Sequence, residues 1–334
     1  MREDNIAMMQ AALSKNKFIL IGRAGMDLYP DPPGTKTEEA VNFYSCLGGS
    51  SANIAVAITK LGGECSLVTC VSDDAIGRFA INELTKYGIA TDFIRKVGDE
   101  ARTSLALVET RIEDHQSVIY RNGAADFEMT KADIEQIEFE HYGALIATGT
   151  ALAAEPSRSA SFHGFEAAKQ AGLPVIFDLD YRPYSWESRE DASSTYSKAG
   201  AMCDMIIGND LEFGFMAGDY AKGFEKAREL AAMPNKIVIY KMGERGAITL
   251  TNTQEIHTGI YPVTALKPTG AGDSFMGGLI ASLAAGYDLR DSVLRGSACA
   301  SIVVSKVGCA PAMPSLETLE NFLKTNPDLT QPEA

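Results

Sequence analysis

From Gly143 onward, short apolar runs alternate with helix-length stretches, and this alternation leaves few folds open. The runs at 144–148, 174–179, 205–208 and 236–241 are apolar nearly throughout, as strands buried on both faces are. Helical signals occupy 157–171, 193–201 and 221–232 between or beside them. Such a succession gives a mostly parallel sheet with helices on both faces. We therefore expect an α/β, doubly wound fold whose first strand is the apolar run at 17–22. Three of these strands end in polar groups: Asp178, Asp180 and Arg182 after one, Asn209 and Glu212 after the next, and Lys241, Gly243 and Gly246 after the third. Open parallel sheets bind ligands beyond the carboxyl ends of their strands, so one shared site is expected there. Asp27 and Arg23 follow the first strand and suit sugar hydroxyls and a carboxylate.

Two stretches depart from the alternation. Residues 31–47 are broken early by Pro32, Pro33 and Gly34, and 41–47 reads as a strand. Residues 103–110 and 116–120 are β-like across a polar turn, which is a hairpin pattern. No helix separates these two runs, so they belong to a small β-sheet appendage rather than to the main sheet. The expected organisation is one domain over 17–325, with lid segments at about 27–47 and 99–125, and tails at 1–16 and 326–334. Arg102 and Arg121 stand at the two ends of the hairpin, where edge-strand charge also discourages aggregation.

Composition narrows the partners. The net charge is −14, from 30 Lys and Arg against 44 Asp and Glu. That opposes nonspecific nucleic-acid binding and anionic membranes. No apolar run reaches the length of a membrane span, and residues 1–17 lack a secretory core. The six cysteines (Cys46, Cys65, Cys70, Cys203, Cys299, Cys309) have no Cys-x-x-Cys spacing, and the four histidines form no cluster. Reduced, buried thiols without a zinc site are expected, in a cytoplasmic protein.

Two glycine turns carry the chemistry. Gly48-Gly49-Ser50-Ser51-Ala52-Asn53 leads into an apolar helix that stops near Gly62. Lys267-Pro268-Thr269-Gly270-Ala271-Gly272-Asp273-Ser274-Phe275 leads into another, with a carboxylate at the junction. A glycine turn at a helix start offers free N–H groups and the positive end of the dipole to an anion. Beside that anion a carboxylate could take a proton from an attacking hydroxyl. A helix cap and tight packing explain the same residues equally well.

Read together, Gly48-Gly49-x-x-Ala52-Asn53 and Thr269-Gly270-Ala271-Gly272-Asp273 resemble the ribokinase-like (PfkB-type) carbohydrate kinase family. The resemblance spans nearly the whole chain. Residues 21–30, 100–104, 117–126 and 266–273 look closest to the branch that phosphorylates 5-dehydro-2-deoxygluconate in inositol breakdown.

The resemblance implies a β-lidded α/β kinase using ATP and Mg²⁺. In it Asp273 is the general base, and Gly270, Ala271 and Gly272 form the anion hole. Asp27, Gly48, Gly49 and Asn53 match substrate positions, with Arg23, Arg102 and Arg121 available for a sugar-acid carboxylate. Asn209 and Glu212 match an Asn-x-x-Glu element that influences Mg²⁺ through water, with no direct protein ligand. Lys241, Gly243, Gly246, Thr269, Ser297 and Gly308 fall at nucleotide positions. Arg182 is a possible phosphate contact. Many relatives carry an acidic residue where Lys267 stands, which helps hold a monovalent cation; here the lysine itself would replace that ion. Kinases of 2-keto-3-deoxygluconate, fructose or another sugar or nucleoside, and a non-catalytic sugar-binding protein, are the alternatives. The expected partners are a sugar acid and ATP, with pairing of two or more copies through the lid.

Overall fold

The structure, a computed structural model, describes residues 4–327. The chain begins with helix α1 (Asp4–Leu13) and strand β1 (Lys17–Ile21), then leaves the main sheet for β2 (Gly25–Asp31) and β3 (Asn42–Gly48). Helix α2 (Ser50–Lys60), β4 (Glu64–Ser72), α3 (Ala75–Lys86) and β5 (Ile94–Val97) follow, then the hairpin β6 (Leu105–Val108) and β7 (Ser117–Tyr120). A short α4 (Lys131–Ile134) precedes β8 (Ala144–Thr148), α5 (Ser157–Gln170), β9 (Val175–Asp178), α6 (Arg189–Met202), β10 (Met205–Asn209), α7 (Asp210–Met216), α8 (Gly223–Ala231) and β11 (Ile237–Lys241). The chain closes with β12 (Ala247–Leu250), β13 (Glu255–Thr258), α9 (Ala271–Ala284), α10 (Leu289–Val304) and α11 (Leu316–Thr325).

Nine strands form the large sheet in the order β13-β12-β11-β10-β9-β8-β1-β4-β5. All neighbours are parallel except β11–β12 and β12–β13. Side chains of β1 alternate between the two faces: Ile19 and Ile21 join the core that includes Phe165 of α5, while Phe18 and Leu20 join the core under α2 and α9. Both faces being covered is why these strands are apolar throughout. The order reverses around β1, which has β4 on one side and β8 on the other. That makes its carboxyl end the topological switch point, where such sheets bind ligands.

Four strands, in the order β3-β2-β6-β7, form the small sheet expected from the hairpin signals. Its inner face buries Tyr29, Cys46, Ala106 and Val108 against Cys309 of the large domain. Its outer face exposes Phe43, Val118 and Tyr120.

One expectation needs correction, and two elements stand outside the expectations. Residues 4–16 are not simply a tail: Met9 and Leu13, one helical turn apart, are buried in the core beside α9. The polar stretch after β10 is a helix, α7, started by a capping box in which Asn209 and Glu212 exchange backbone-to-side-chain hydrogen bonds. Strand β5 extends the large sheet beyond β4, although Ile94-Arg95-Lys96-Val97 is too short and charged to be read as a strand by itself. The C-terminal tail expected at 326–334 lies outside the described residues from 328 on. All six cysteines are free and buried.

Candidate active site

Helix α9 is preceded by its N-cap Gly270, whose φ of 86° is left-handed. A Cβ there would also lie 2.8 Å from Cys309 Sγ, so the turn needs glycine twice over. Seven residues on, Gly277 lets α9 lie directly on α2, because a Cβ would come within 2.3 Å of Ala57 Cβ. This contact brings the two glycine turns together. Asn53, in the first turns of α2, donates from Nδ2 to Asp273 Oδ2 at 2.9 Å across 220 residues of chain.

A cavity of about 1380 Å³ opens here, between the small sheet and the carboxyl ends of β9, β10 and β11. That exceeds the usual single-ligand pocket of roughly 300–1,000 Å³ and leaves room for two substrates. Asp273, Gly270, Ala271, Gly272, Asp27, Arg23, Gly49 and Asn53 line it. So do Asn209, Glu212, Lys241, Gly243, Gly246, Thr269, Ser297, Arg182 and Lys267. The three polar strand ends therefore share one site.

The carboxylates differ by environment. Burial raises Asp273 to about 7, helped by Asp180 and opposed by the Asn53 hydrogen bond, Arg182 and Arg23. Burial raises Asp27 to about 6, against Arg23, the Tyr29 hydroxyl and Lys267. Burial works to raise Asp180 too, but Arg182, a hydrogen bond from Ser50, Arg23 and Arg121 together hold it below its ordinary value. Asp180 has an unusual φ of 33°, pairs with Arg182 at 2.6 Å and leaves Oδ2 without a partner. It was legible as a polar strand end, but its place among three guanidiniums was not.

Lys267 is fully buried, and its ammonium donates to the Thr269 carbonyl. Its charge thus lies under the Thr269–Gly272 turn rather than in solvent. Burial lowers its pKa, opposed by Cys309, Cys46, Asp273 and Asp27.

Several expected residues stand elsewhere. Arg102 is exposed and outside the cavity; its backbone bridges to Ala124 at the hairpin base, and its Nη1 donates to the Asp99 and Ala101 carbonyls of its own loop. Arg121 is buried behind the wall, paired with Asp126, donating to the Thr150 carbonyl at 2.9 Å and stacked on Phe127. Gly48 is also off the wall, where its missing Cβ makes room for the Asp27 carboxylate, 1.9 Å from that position. Gly308 sits behind Cys309, which does reach the cavity. Conversely, His115 of the hairpin loop lines the cavity, with Nε2 3.4 Å from Thr269 Oγ1. A lone histidine in a turn carries no sequence signal for this; only closure of the small sheet over α9 reveals it.

A glycine turn at a helix start, a half-buried carboxylate beside it and a cavity large enough for two ligands under a small β-sheet are the setting of a kinase for hydroxylated small molecules. The chain belongs to the pfkB family carbohydrate kinases, whose family pattern matches residues 15–316. It is 39% identical over 326 residues to the 5-dehydro-2-deoxygluconokinase of Photobacterium profundum, covering 95% of this chain and 98% of that one. It is 37% identical over 315 residues to the protein of the same name from Geobacillus thermodenitrificans, covering 92% and 93%. Among solved structures, a fructokinase with bound ATP from Xylella fastidiosa shares the fold with a TM-score of 0.82 at 23% identity, over 93% of this chain and 99% of that one. A putative ribokinase II from E. coli in complex with ATP and Mg²⁺ also scores 0.82, at 20% identity and the same coverage.

Proposed function

We propose that this carbohydrate kinase transfers the γ-phosphoryl group of ATP to the primary hydroxyl of 5-dehydro-2-deoxy-D-gluconate, giving the 6-phosphate in myo-inositol degradation. The observation that carries the reading is the Asp273 carboxylate, bonded to Asn53 and set in the first turn of α9 beside Gly270. The names of relatives at 37–39% identity supply the acceptor.

Asp273 accepts the proton of the primary hydroxyl as its oxygen attacks phosphorus. The N–H groups of Gly270, Ala271 and Gly272 and the α9 dipole oppose the charge on the transferring group. Asp27 and Asn53, with the backbone at Gly49, hold sugar hydroxyls, and Gly48 gives the Asp27 carboxylate its room. Arg23 and Arg182 take the carboxylate, with Arg121 supporting Asp180 from behind in place of a direct contact. Lys241 reaches the phosphate end of the nucleotide, and Gly243, Gly246, Thr269 and Ser297 hold the rest of it, with Gly308 shaping the adjoining loop. Mg²⁺ brought in with the nucleotide would neutralise phosphate charge through water near Asn209 and Glu212. The capping box occupies Asn209 Oδ1 and Glu212 Oε2, and among the described residues it leaves Glu212 Oε1 and the Asn209 amide nitrogen for such water. The small sheet closes as a lid and keeps water from the phosphoryl group. Its outer face, with Phe43 and Tyr120 38% and 63% exposed, suits pairing of two copies in the cytoplasm.

The test is ADP release across a panel of sugar acids, with fructose, ribose and nucleosides as controls. 5-Dehydro-2-deoxygluconate should give the highest kcat/KM. A higher value on 2-keto-3-deoxygluconate or on a neutral sugar would overturn the acceptor assignment.

Lys267 takes the place of a monovalent cation. Its buried ammonium already supplies a fixed positive charge beneath the anion-hole turn, and an added cation there would be repelled. Turnover in K⁺ and in Na⁺ at equal ionic strength should therefore agree within about twofold, a gap of less than 0.5 kcal/mol. Strong activation by K⁺ would refute this.

A further inference from the structure

Lys241 ends β11, and its backbone is fixed by pairing with Asn209 of β10 and Ala247 of β12. Its side chain leaves the sheet toward α9. The ammonium lies 3.4 Å from where a Cβ on Gly272 would stand and 5.5 Å from the centre of the Phe275 ring. Among the described residues it forms no hydrogen bond and no ion pair. The other cations on the cavity wall hold other posts: Arg23 donates to Ser104 Oγ, and Arg245 pairs with Asp210. Arg182 is paired with Asp180, Lys267 is bonded beneath the turn to Thr269, and Asp178 and Glu212 are buried or half-buried carboxylates that feel Lys241 as their chief opposing charge.

We infer that Lys241 is a catalytic residue, whose unpaired ammonium at Gly272 meets the phosphoryl group as it passes from nucleotide to acceptor. This rests on Asp273 being the base of the same reaction. The location argues for the transferring group rather than the nucleobase: Gly272 directly precedes Asp273, and both lie in the first turn of α9. The α9 dipole is worth only about half a charge. Asp178, Asp180, Glu212 and Asp273 all lie near the cavity end of the sheet, and their repulsion toward an incoming phosphate needs an unpaired cation to offset it. A resting contact with an aromatic face holds the ammonium in place without neutralising it. Its glycine neighbour leaves open the space a side chain would fill.

Phosphoryl transfer depends on charge placed where the equatorial oxygens develop it. The bonds are those of the proposed reaction: the acceptor oxygen bonds to phosphorus, the bridge to ADP breaks, and Asp273 takes the proton. Lys241 transfers nothing.

The test compares wild type with Lys241→Met, Lys241→Ala and Lys241→Arg on the sugar acid that wild type turns over best. Lys241→Met should lower kcat by about 10²-fold, in the range for loss of one preorganised charge donor, with KM for the sugar acid within about threefold. Lys241→Arg should recover part of kcat, and added ethylamine should partly restore Lys241→Ala. A second readout needs no turnover. ADP with Mg²⁺ and aluminium fluoride, a mimic of the transferring group, should bind wild type more tightly than ADP with Mg²⁺ alone, and Lys241→Met should lose that gain. An unchanged kcat with a raised KM for ATP, or retention of the aluminium-fluoride gain, would overturn the inference and make Lys241 a nucleotide anchor. Failure of wild type to release ADP on any acceptor would instead overturn the kinase assignment itself.

Discussion

Asp273→Asn is expected to lower kcat by about 10²–10⁴-fold, the usual worth of a positioned general base, while ATP binding stays nearly intact. Asparagine keeps the size of the side chain and a partner for Asn53 but cannot take the hydroxyl proton. A variant with near-normal kcat would remove Asp273 from the mechanism. The pH profile follows from the same group. Burial places Asp273 at about 7, and the base must be ionised, so kcat/KM should fall tenfold per unit below about pH 7 and level off above it. A profile flat down to pH 5 would exclude that titration.

The same shift has a stability consequence. The folded value of about 7 lies above the unfolded value of 3.8. The folded protein therefore holds this proton more tightly, a contribution fully present below the unfolded value and lost as pH rises through the folded one. Above pH 7 the ionised, buried carboxylate costs on the order of 4 kcal/mol. Asp273→Asn should consequently melt higher than wild type at pH 8, and the gap should close toward pH 4. Catalytic power here is held against stability.

Arg23→Gln is expected to lower kcat/KM on the sugar acid by roughly 10- to 100-fold, since a hydrogen bond to a charged group is worth about 1.5–3 kcal/mol. On a neutral analogue with the carboxylate replaced by an amide, the loss should stay within about threefold. Arg23 is buried, gives one nitrogen to Ser104 Oγ at 3.3 Å and leaves Nε without a partner. Arg182 also leaves Nε unpartnered while its Nη2 pairs with Asp180. Two guanidiniums with free donors on one wall suit a carboxylate, which accepts in a fork. Arg182→Lys keeps the charge and the Asp180 pair but not the fork, so it should share the selectivity of the Arg23 loss. Equal losses on the acid and the amide would mean that these arginines only hold the wall together.

Much of this was readable in the chain. Buried parallel strands advertise themselves by unbroken apolar runs, and a helix that follows a glycine turn does so by its stripe. The capping box at Asn209 and Glu212 was also readable, since Asn-x-x-Glu before Phe213 is the pattern of a helix start. Helix α1 was signalled by Met9 and Leu13, though a short amphipathic segment is marginal until a core receives it. Arg102, Arg121 and Arg182 are alike as letters. One caps its own loop, one is neutralised by Asp126 behind the wall, and one reaches the cavity.

By itself the sequence determined the doubly wound sheet, the small second sheet and the two glycine turns. These rest on periodicity and on backbone geometry, which act over a few residues. Tertiary structure alone decided that Asn53 meets Asp273, that Lys267 is buried under the turn, that His115 closes over Thr269, and which arginines line the cavity. Those outcomes depend on how helices and sheets pack, on close approaches such as Gly277 on Ala57, and on the burial that shifts each charge. None of these is a property of neighbouring residues in the chain.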